Sequence, residues 1–375
     1  MHGPLSHLTI IEMAGLGPCP LAGQLMADLG AKVVVIDRKS GGANPADINR
    51  RNKKSIALNL KSDAGREAAL RLLDCADVVI EGFRPGVMEK LGLGPEVCRA
   101  RNPGLVYGRM TGWGQTGPLA PLAGHDINYM SLSGALAAMG PRDGVPMPPL
   151  NLVADYGGGS MFLIFGVLAA LLERQQSGRG QVVDAAIVDG VPAMMGVFFY
   201  LMQAGVWDTQ REHNMLDGGA PYYRCYETAD GKWISVGPIE PQFFAEMCAK
   251  AGLEHVVPKQ QVNKANWPRL SAAYAEIFRT RTRDAWMEIF EGSDACVAPV
   301  LTFDEVEQHS HNAAREIFFR QDGILQPSPA PRFDRTPAGP VSPPTAPGSD
   351  AETVLSDAGF SAAEVERIRA EGGLS

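Results

Sequence analysis

Imidazole and carboxyl side chains are the groups that take up and release protons near neutral pH. Three of them stand in unusual settings in this 375-residue chain. His125 heads the run AGHDINYMSLSGAL (123–136), Asp155 lies in PPLNLVADYGGGSM (148–161), and Glu240 in VGPIEPQFF (236–244). The chain has only seven histidines. A lone one is as well explained by a loop that it satisfies, so the neighbours have to decide. Asp155 precedes a helix expected from Tyr156, where an aspartate ordinarily caps free amides. The glycines at 157, 158 and 159 are costly inside a helix and point to close approach of something to the backbone. Glu240, the third group, is a second carboxyl, placed at a strand-to-helix turn.

The elements that must hold these groups begin with two β-rich runs, LTIIEM (8–13) and KVVVID (32–37), joined by a glycine turn and a helix, a βαβ unit. SIALNL (55–60), DVVIEGF (77–83) and LVYGRM (105–110) continue the strands, with helical runs such as DAGREAALRLLDCA (63–76) between them. Such alternation predicts an α/β fold with a mainly parallel, Rossmann-like sheet. A helix is expected from Tyr156 to about Gln175 and an apolar one over 191–207. YYRCYET and KWISVGPI flank the turn at 229–231 as a hairpin, followed by helices at 241–251 and 266–291 and the strand-like ACVAPVL. The expected units are a large domain over 1–190, a helical linker over 191–221 and a small α+β domain over 222–325. A proline-rich connector and a helix (326–375) return to the large domain.

Composition narrows the function. A net charge of −8 and an isoelectric point near 5.5 exclude a nucleic-acid protein, which needs a basic face. Six scattered cysteines, with no CxxC, indicate neither a disulfide framework nor a zinc site. The apolar run at 161–172 is too short to span a bilayer, and the one at 191–207 carries Gln203, so no membrane is expected. MHGPLSHLTI lacks the pattern of a secretory leader and the final GGLS is not a peroxisomal tripeptide, which leaves a cytoplasmic protein as the expectation.

Three further motifs each have an ordinary explanation beside a functional one. Gly15-Leu16-Gly17 with Asp37 after the second strand has the outline of a dinucleotide fingerprint, but its third glycine is replaced by Pro20. INRRNKKS (48–55) concentrates Arg50, Arg51, Lys53 and Lys54, either as solvated loop charge or as an anion site for a ligand with several phosphates. YGRMTGWGQTGP (107–118) is glycine-rich without the Gly-Lys-Ser/Thr of a P-loop. Its glycines serve turns, or the approach of a thin ligand.

AGHDINY, PPLNLVADYGGG, MLDGGAPYY and GPIEPQFF resemble the α-methylacyl-CoA racemases of the family III CoA-transferases, and LTIIEMAGLGPCP, VVVIDR, FRPGVMEKLGLGP and SDACVAPVL extend the resemblance over almost the whole chain. It implies 1,1-proton transfer between (2R)- and (2S)-2-methylacyl-CoA thioesters in lipid metabolism, through an enolate-like intermediate. His125, supported by Glu240, and Asp155 would be the two acid/base groups, with Asp126 a further candidate to hold the imidazole. An apolar setting would raise the Asp155 pKa and a helix N-terminus would lower it. Amides at the helix start beside Asp155 are the expected donors to the thioester oxygen. For coenzyme A, the resemblance points to Arg38, to Leu58, Asn59, Leu60 and Lys61, and to Gly124, Ile127, Asn128 and Tyr129. Arg84 is added from its charge and position. The acyl group is expected on the methionine- and aromatic-rich surface of 191–215. The fold implied is an interlocked homodimer, with Glu240 serving His125 within or across subunits, and no cofactor or metal. A CoA-transferase with Asp155 as nucleophile is the alternative.

Overall fold

The computed structural model describes residues 2–253 and 261–375. In chain order the first elements are β1 (Thr9–Met13), α1 (Pro18–Asp28), β2 (Lys32–Asp37), β3 (Lys53–Ala57), α2 (Asp63–Asp74), β4 (Val78–Glu81), α3 (Val87–Lys90), α4 (Pro95–Arg101), β5 (Val106–Thr111) and α5 (Asp126–Ser133). A π-helix (Leu152–Met161), α6 (Phe162–Ser177), β6 (Val182–Ala186), α7 (Ile187–Met194) and α8 (Gly196–Gln203) follow. Next come β7 (Arg224–Glu227), β8 (Trp233–Val236), α9 (Pro241–Ala251), α10 (Trp267–Phe278), α11 (Arg283–Phe290), β9 (Val297–Val300) and α12 (Ser310–Ala314). The chain closes with β10 (Phe318–Gln321), β11 (Ile324–Pro327), α13 (Ala351–Asp357) and α14 (Ala362–Ala370).

Strands β1 to β6 form one parallel sheet in the order β3-β2-β1-β4-β5-β6. The central strands read as unbroken apolar runs because helices cover both faces, and Ile10, Ile11, Val78, Val79 and Ile80 are fully buried. The order reverses between β1 and β4, so the carboxyl ends of these two strands open the crevice in which doubly wound sheets hold ligands. The turn at 14–17 and the loop at 82–86 leave the sheet there.

The chain divides into two compact units: Met1–Ser133 with Pro149–Met195 and Glu316–Ser375, and Gly134–Pro148 with Gly196–Arg315. The first holds the sheet, and its last helix starts with a capping box between Ser361 and Glu364 and buries Val365 and Ile368 in the cluster shared with Leu70 and Leu73 of α2. The second is built on the antiparallel sheet β7-β8-β9, with Phe244, Tyr274, Phe278 and Trp286 in its core. Residues 134–148 group with this second unit, and the chain rejoins the first at Glu316. The helix expected over 191–207 is interrupted at Met195. The one expected over 266–291 is two, because Thr282 accepts the Ala285 amide and starts a new helix.

The basic run of 48–55 is neither solvated charge nor a ligand site, since most of it is consumed inside the first unit. Arg50 forms a forked pair with Asp37 at 2.7 and 3.2 Å. Arg51, 1% exposed, pairs with Asp28 at 2.6 Å and reaches Gln326 and the Pro327 carbonyl. Lys53 is buried against Glu12 at 2.7 Å, and only Lys54 stays exposed, on Asp357.

The run at 161–172 was too short to span a bilayer, but with the π-helix before it the helical stretch Leu152–Ser177 is long and apolar enough by length and composition. Its inner face is committed to protein: Leu163, Val167, Ala170 and Leu171 are buried, and α6 packs on β5 and β6. On its outer face Met161, Phe165, Leu168 and Leu172 form an exposed stripe at helical spacing.

The glycine triplet does need a close backbone approach, and the approaching backbone is α7. A Cβ on Gly190 would stand 2.0 Å from the Gly158 carbonyl oxygen, and one on Gly158 would stand 2.7 Å from Val191. Gly190→Ala is expected to cost about 3 kcal/mol of stability by overpacking this contact. Urea unfolding measures it, and a loss under about 1 kcal/mol would show that the helices slide apart freely.

Candidate active site

Asp155 lies inside the π-helix, in its first turn, and not ahead of a helix as a cap. Its backbone amide leaves the helical ladder and donates to Asp126 Oδ2 at 2.9 Å, while the Tyr156 amide bonds the Asn151 carbonyl five residues back. That diversion accounts for the wide turn, a feature that recurs at functional sites. It also corrects the expected oxyanion donors: the amides of Asp155 and Tyr156 are occupied.

The Asp155 carboxyl is raised above the ordinary range by burial first and then by the neighbouring Asp126 carboxylate. A hydrogen bond from Asn151 and the charge of His125 pull it back. Asn151 escaped the sequence reading, although its place four residues before Asp155 puts both on one helical face. Gly17 borders the group as well: at φ 73° it starts α1, and a Cβ there would lie 3.6 Å from Asp155 Oδ2. Gly15-Leu16-Gly17 therefore shapes the wall beside a carboxyl group.

His125 immediately precedes α5, with an exposed side chain. Its amide donates to Asn128 Oδ1 at 3.0 Å, and its carbonyl accepts the Asn128 amide at 2.8 Å. Asn128 is thereby the residue that sets the backbone of the histidine. Tyr129 is buried; its hydroxyl donates to the Gly124 carbonyl, and its ring meets Trp113 edge-on at 4.7 Å between centroids. A Cβ on Gly112 would collide with the Tyr129 ring and one on Gly124 with both rings. The glycines of 107–118 thus make room for Tyr129 at position 112, and Trp113 is a site residue that the sequence reading missed. The Tyr129 hydroxyl is raised by burial and by Asp155, and lowered by Arg84.

Arg84 is exposed in the loop after β4, near enough for its charge to act on the Tyr129 hydroxyl. Arg38 is exposed directly after β2, and Ile127 and Lys61 are exposed too. The rest of the expected nucleotide segment is engaged by the end of the chain. Leu58 is buried and bridges Leu374, Leu60 packs on the core, and Asn59 bonds Gly373 and Gly372. Asp126 has its Oδ2 on the Asp155 amide. Glu240 belongs to the second unit, where it stands exposed at the N-terminus of α9. In that unit a hollow of about 600 Å³ opens among Tyr223, Arg224, Cys225, Ser235 and Cys296. The Cys296 thiol there is raised by burial and then by the carboxylate of Glu240.

Residues 5–353 match CoA-transferase family III. Curated relatives named alpha-methylacyl-CoA racemase include one from Mus musculus, 42% identical over 98% of this chain and 96% of its own length. Another, from Homo sapiens, is 41% identical over 98% and 96%. Among solved structures, Rv3272 of Mycobacterium tuberculosis superposes with a TM-score of 0.78 at 26% identity, covering 94% of this chain and 99% of that one. A CaiB/BaiF family protein of Brucella suis gives 0.81 at 23% identity, over 96% and 100%, and shows the shared fold.

Proposed function

The chain belongs to CoA-transferase family III, and from that membership we propose that it is an α-methylacyl-CoA racemase, interconverting (2R)- and (2S)-2-methylacyl-CoA thioesters. The observation that supports the chemistry is the bond from the Asp155 amide to Asp126, the residue next to His125, which ties the two segments together. One of the two removes the α-proton, the electron pair of the broken C–H bond passes into an enolate at the thioester oxygen, and the other returns a proton to the opposite face. Each group is base in one direction and acid in the other, so their acidities must lie close together. Burial moves Asp155 toward the imidazole range, which serves that need. The amides of Asp126 and Ile127, the first two of α5, have no hydrogen bond among the described residues and stand next to His125, which suits them to receive the enolate oxygen in place of those beside Asp155.

Arg38, Arg84 and Lys61 are the exposed cations offered to the phosphates of coenzyme A. The acyl chain takes the surface of 191–215, where Met194, Val197, Phe199, Tyr200 and Met202 are exposed. The protein works as a homodimer, and the apolar stripe on α6 is the face suited to a second copy. Glu240 of one copy then supports His125 of the other. Neither metal nor organic cofactor is needed for the transfer.

Incubation of the purified protein with one epimer of a 2-methylacyl-CoA in deuterium oxide tests the reading. The expected result is α-deuterium incorporation together with loss of chiral purity. Transfer of CoA to an added carboxylic acid, without α-exchange, would replace it with the transferase reading, in which Asp155 forms a mixed anhydride.

A further inference from the structure

Glu81 ends β4 completely buried, with both carboxylate oxygens engaged. Oε2 accepts the Phe83 amide at 2.7 Å, and Oε1 accepts Arg109 Nε at 3.0 Å from the adjacent strand β5. Arg109 in turn sends Nη1 and Nη2 to Glu89 of α3, at 2.7 and 3.3 Å. The segment 82–86, which carries Arg84, is thus held at its start by Glu81 and just past its end by Glu89, with one guanidinium joining the two. The proposed racemization makes no use of this chain of contacts.

We propose that Glu81 is the positioning residue for Arg84: its ionised carboxylate fixes the loop at 82–86 and so holds the cation that meets the anionic coenzyme A. This rests on the reading of Arg84 given above. An ionised carboxylate accepts both N–H groups, whereas a protonated one keeps a single acceptor oxygen fully available and adds a donor facing Arg109. Protonation therefore releases the Phe83 amide or unbalances the guanidinium, and the loop loosens. The groups facing Glu81 are Arg109 and Tyr107 from β5, Glu89 from α3 and Cys19 from α1. Burial is the largest influence and pushes the carboxyl up to about 7, against the Phe83 amide and Arg109, which pull it down. The hold on Arg84 is accordingly strong above that pH and weakens as pH falls through it.

Glu81→Gln imitates the protonated form. Titration calorimetry of the full-length protein with coenzyme A, at about pH 8.5 and about pH 6, compares the variant with wild type; the comparison cancels titration of the ligand's own phosphates. The Kd ratio is expected to be about tenfold at the higher pH and within about twofold at the lower, the size of one charge-assisted hydrogen bond. The same ratio at both pH values would reduce Glu81 to a structural residue and overturn the proposal. Hydrogen exchange of the wild-type segment 82–90, corrected for intrinsic rates, gives a readout without ligand or variant. Protection there is expected to fall as pH drops, and unchanged protection overturns the proposal even if the variant does not fold. Absence of coenzyme A binding by wild type at both pH values would instead overturn the functional reading, with the exchange result still deciding on Glu81.

Discussion

Asp155→Asn is expected to lower the epimerisation rate by about a thousandfold, the contribution of one positioned acid/base group, with little change in substrate affinity. The amide is isosteric, and the backbone bond to Asp126 that shapes the π-helix is untouched. The loss should also be asymmetric. One epimer presents its α-proton to His125, so the variant retains deuterium exchange for that epimer with retention of configuration, while the other stays inert. In the wild type, the raised Asp155 carboxyl stays protonated to a higher pH than an ordinary aspartate. In the direction that uses it as base, kcat/KM falls as pH drops through that displaced pKa. Its acid limb therefore lies above the usual carboxylate range. Steady-state profiles for the two epimers, with chiral analysis of exchanged substrate, check all three points; wild-type exchange of both epimers by the variant would remove Asp155 from the mechanism.

Arg51→Ala should be the most damaging single substitution for folding. The pair with Asp28 is fully sheltered, at 1% and 0% side-chain exposure. Removing the guanidinium leaves a carboxylate in the interior with only Gln24 and Asn52 as donors among the described residues. The cost of breaking such a pair from one side is about 3 to 5 kcal/mol. Arg51→Met with Asp28→Leu, which removes both charges and keeps apolar volume, is expected to recover at least half of it. Urea unfolding of the single and double variants decides. A loss below about 1 kcal/mol for Arg51→Ala would mean that water reaches Asp28.

The parallel sheet, the turn after β1, the hairpin β7-β8 and the last helix were all legible, because each depends on local periodicity or turn chemistry. The resemblance pairs His125 with Asp155, but the backbone bond that ties their segments together was not legible. Nothing local announces that the Asp155 amide abandons its helix for Asp126, since the π-turn is produced by a partner 29 positions away. The same limit bears on two motifs whose partners the sequence left open. Three consecutive glycines look alike whether they face a ligand or a neighbouring helix, and only the approach of Gly190 settles which. A run of four cations looks like an anion site until its counterions Asp28, Asp37 and Glu12 are placed by other parts of the fold. Arg84 is exposed in the loop after β4, whereas Arg51 points into the interior.

The contacts of Arg51 also bear on how the chain reaches its native state as it leaves the ribosome. Asp28 is available from the start, but Gln326 and Pro327 lie 275 and 276 positions further on. At about 5 to 20 residues per second, roughly 14 to 55 seconds of translation separate the guanidinium from its last acceptors. Throughout that interval β3 is an unguarded sheet edge, because the segments that later cover it have not been made. Nascent chains stalled before residue 316 should therefore be the aggregation-prone, chaperone-dependent species. The native large unit can close only after synthesis of the inserted small one is complete.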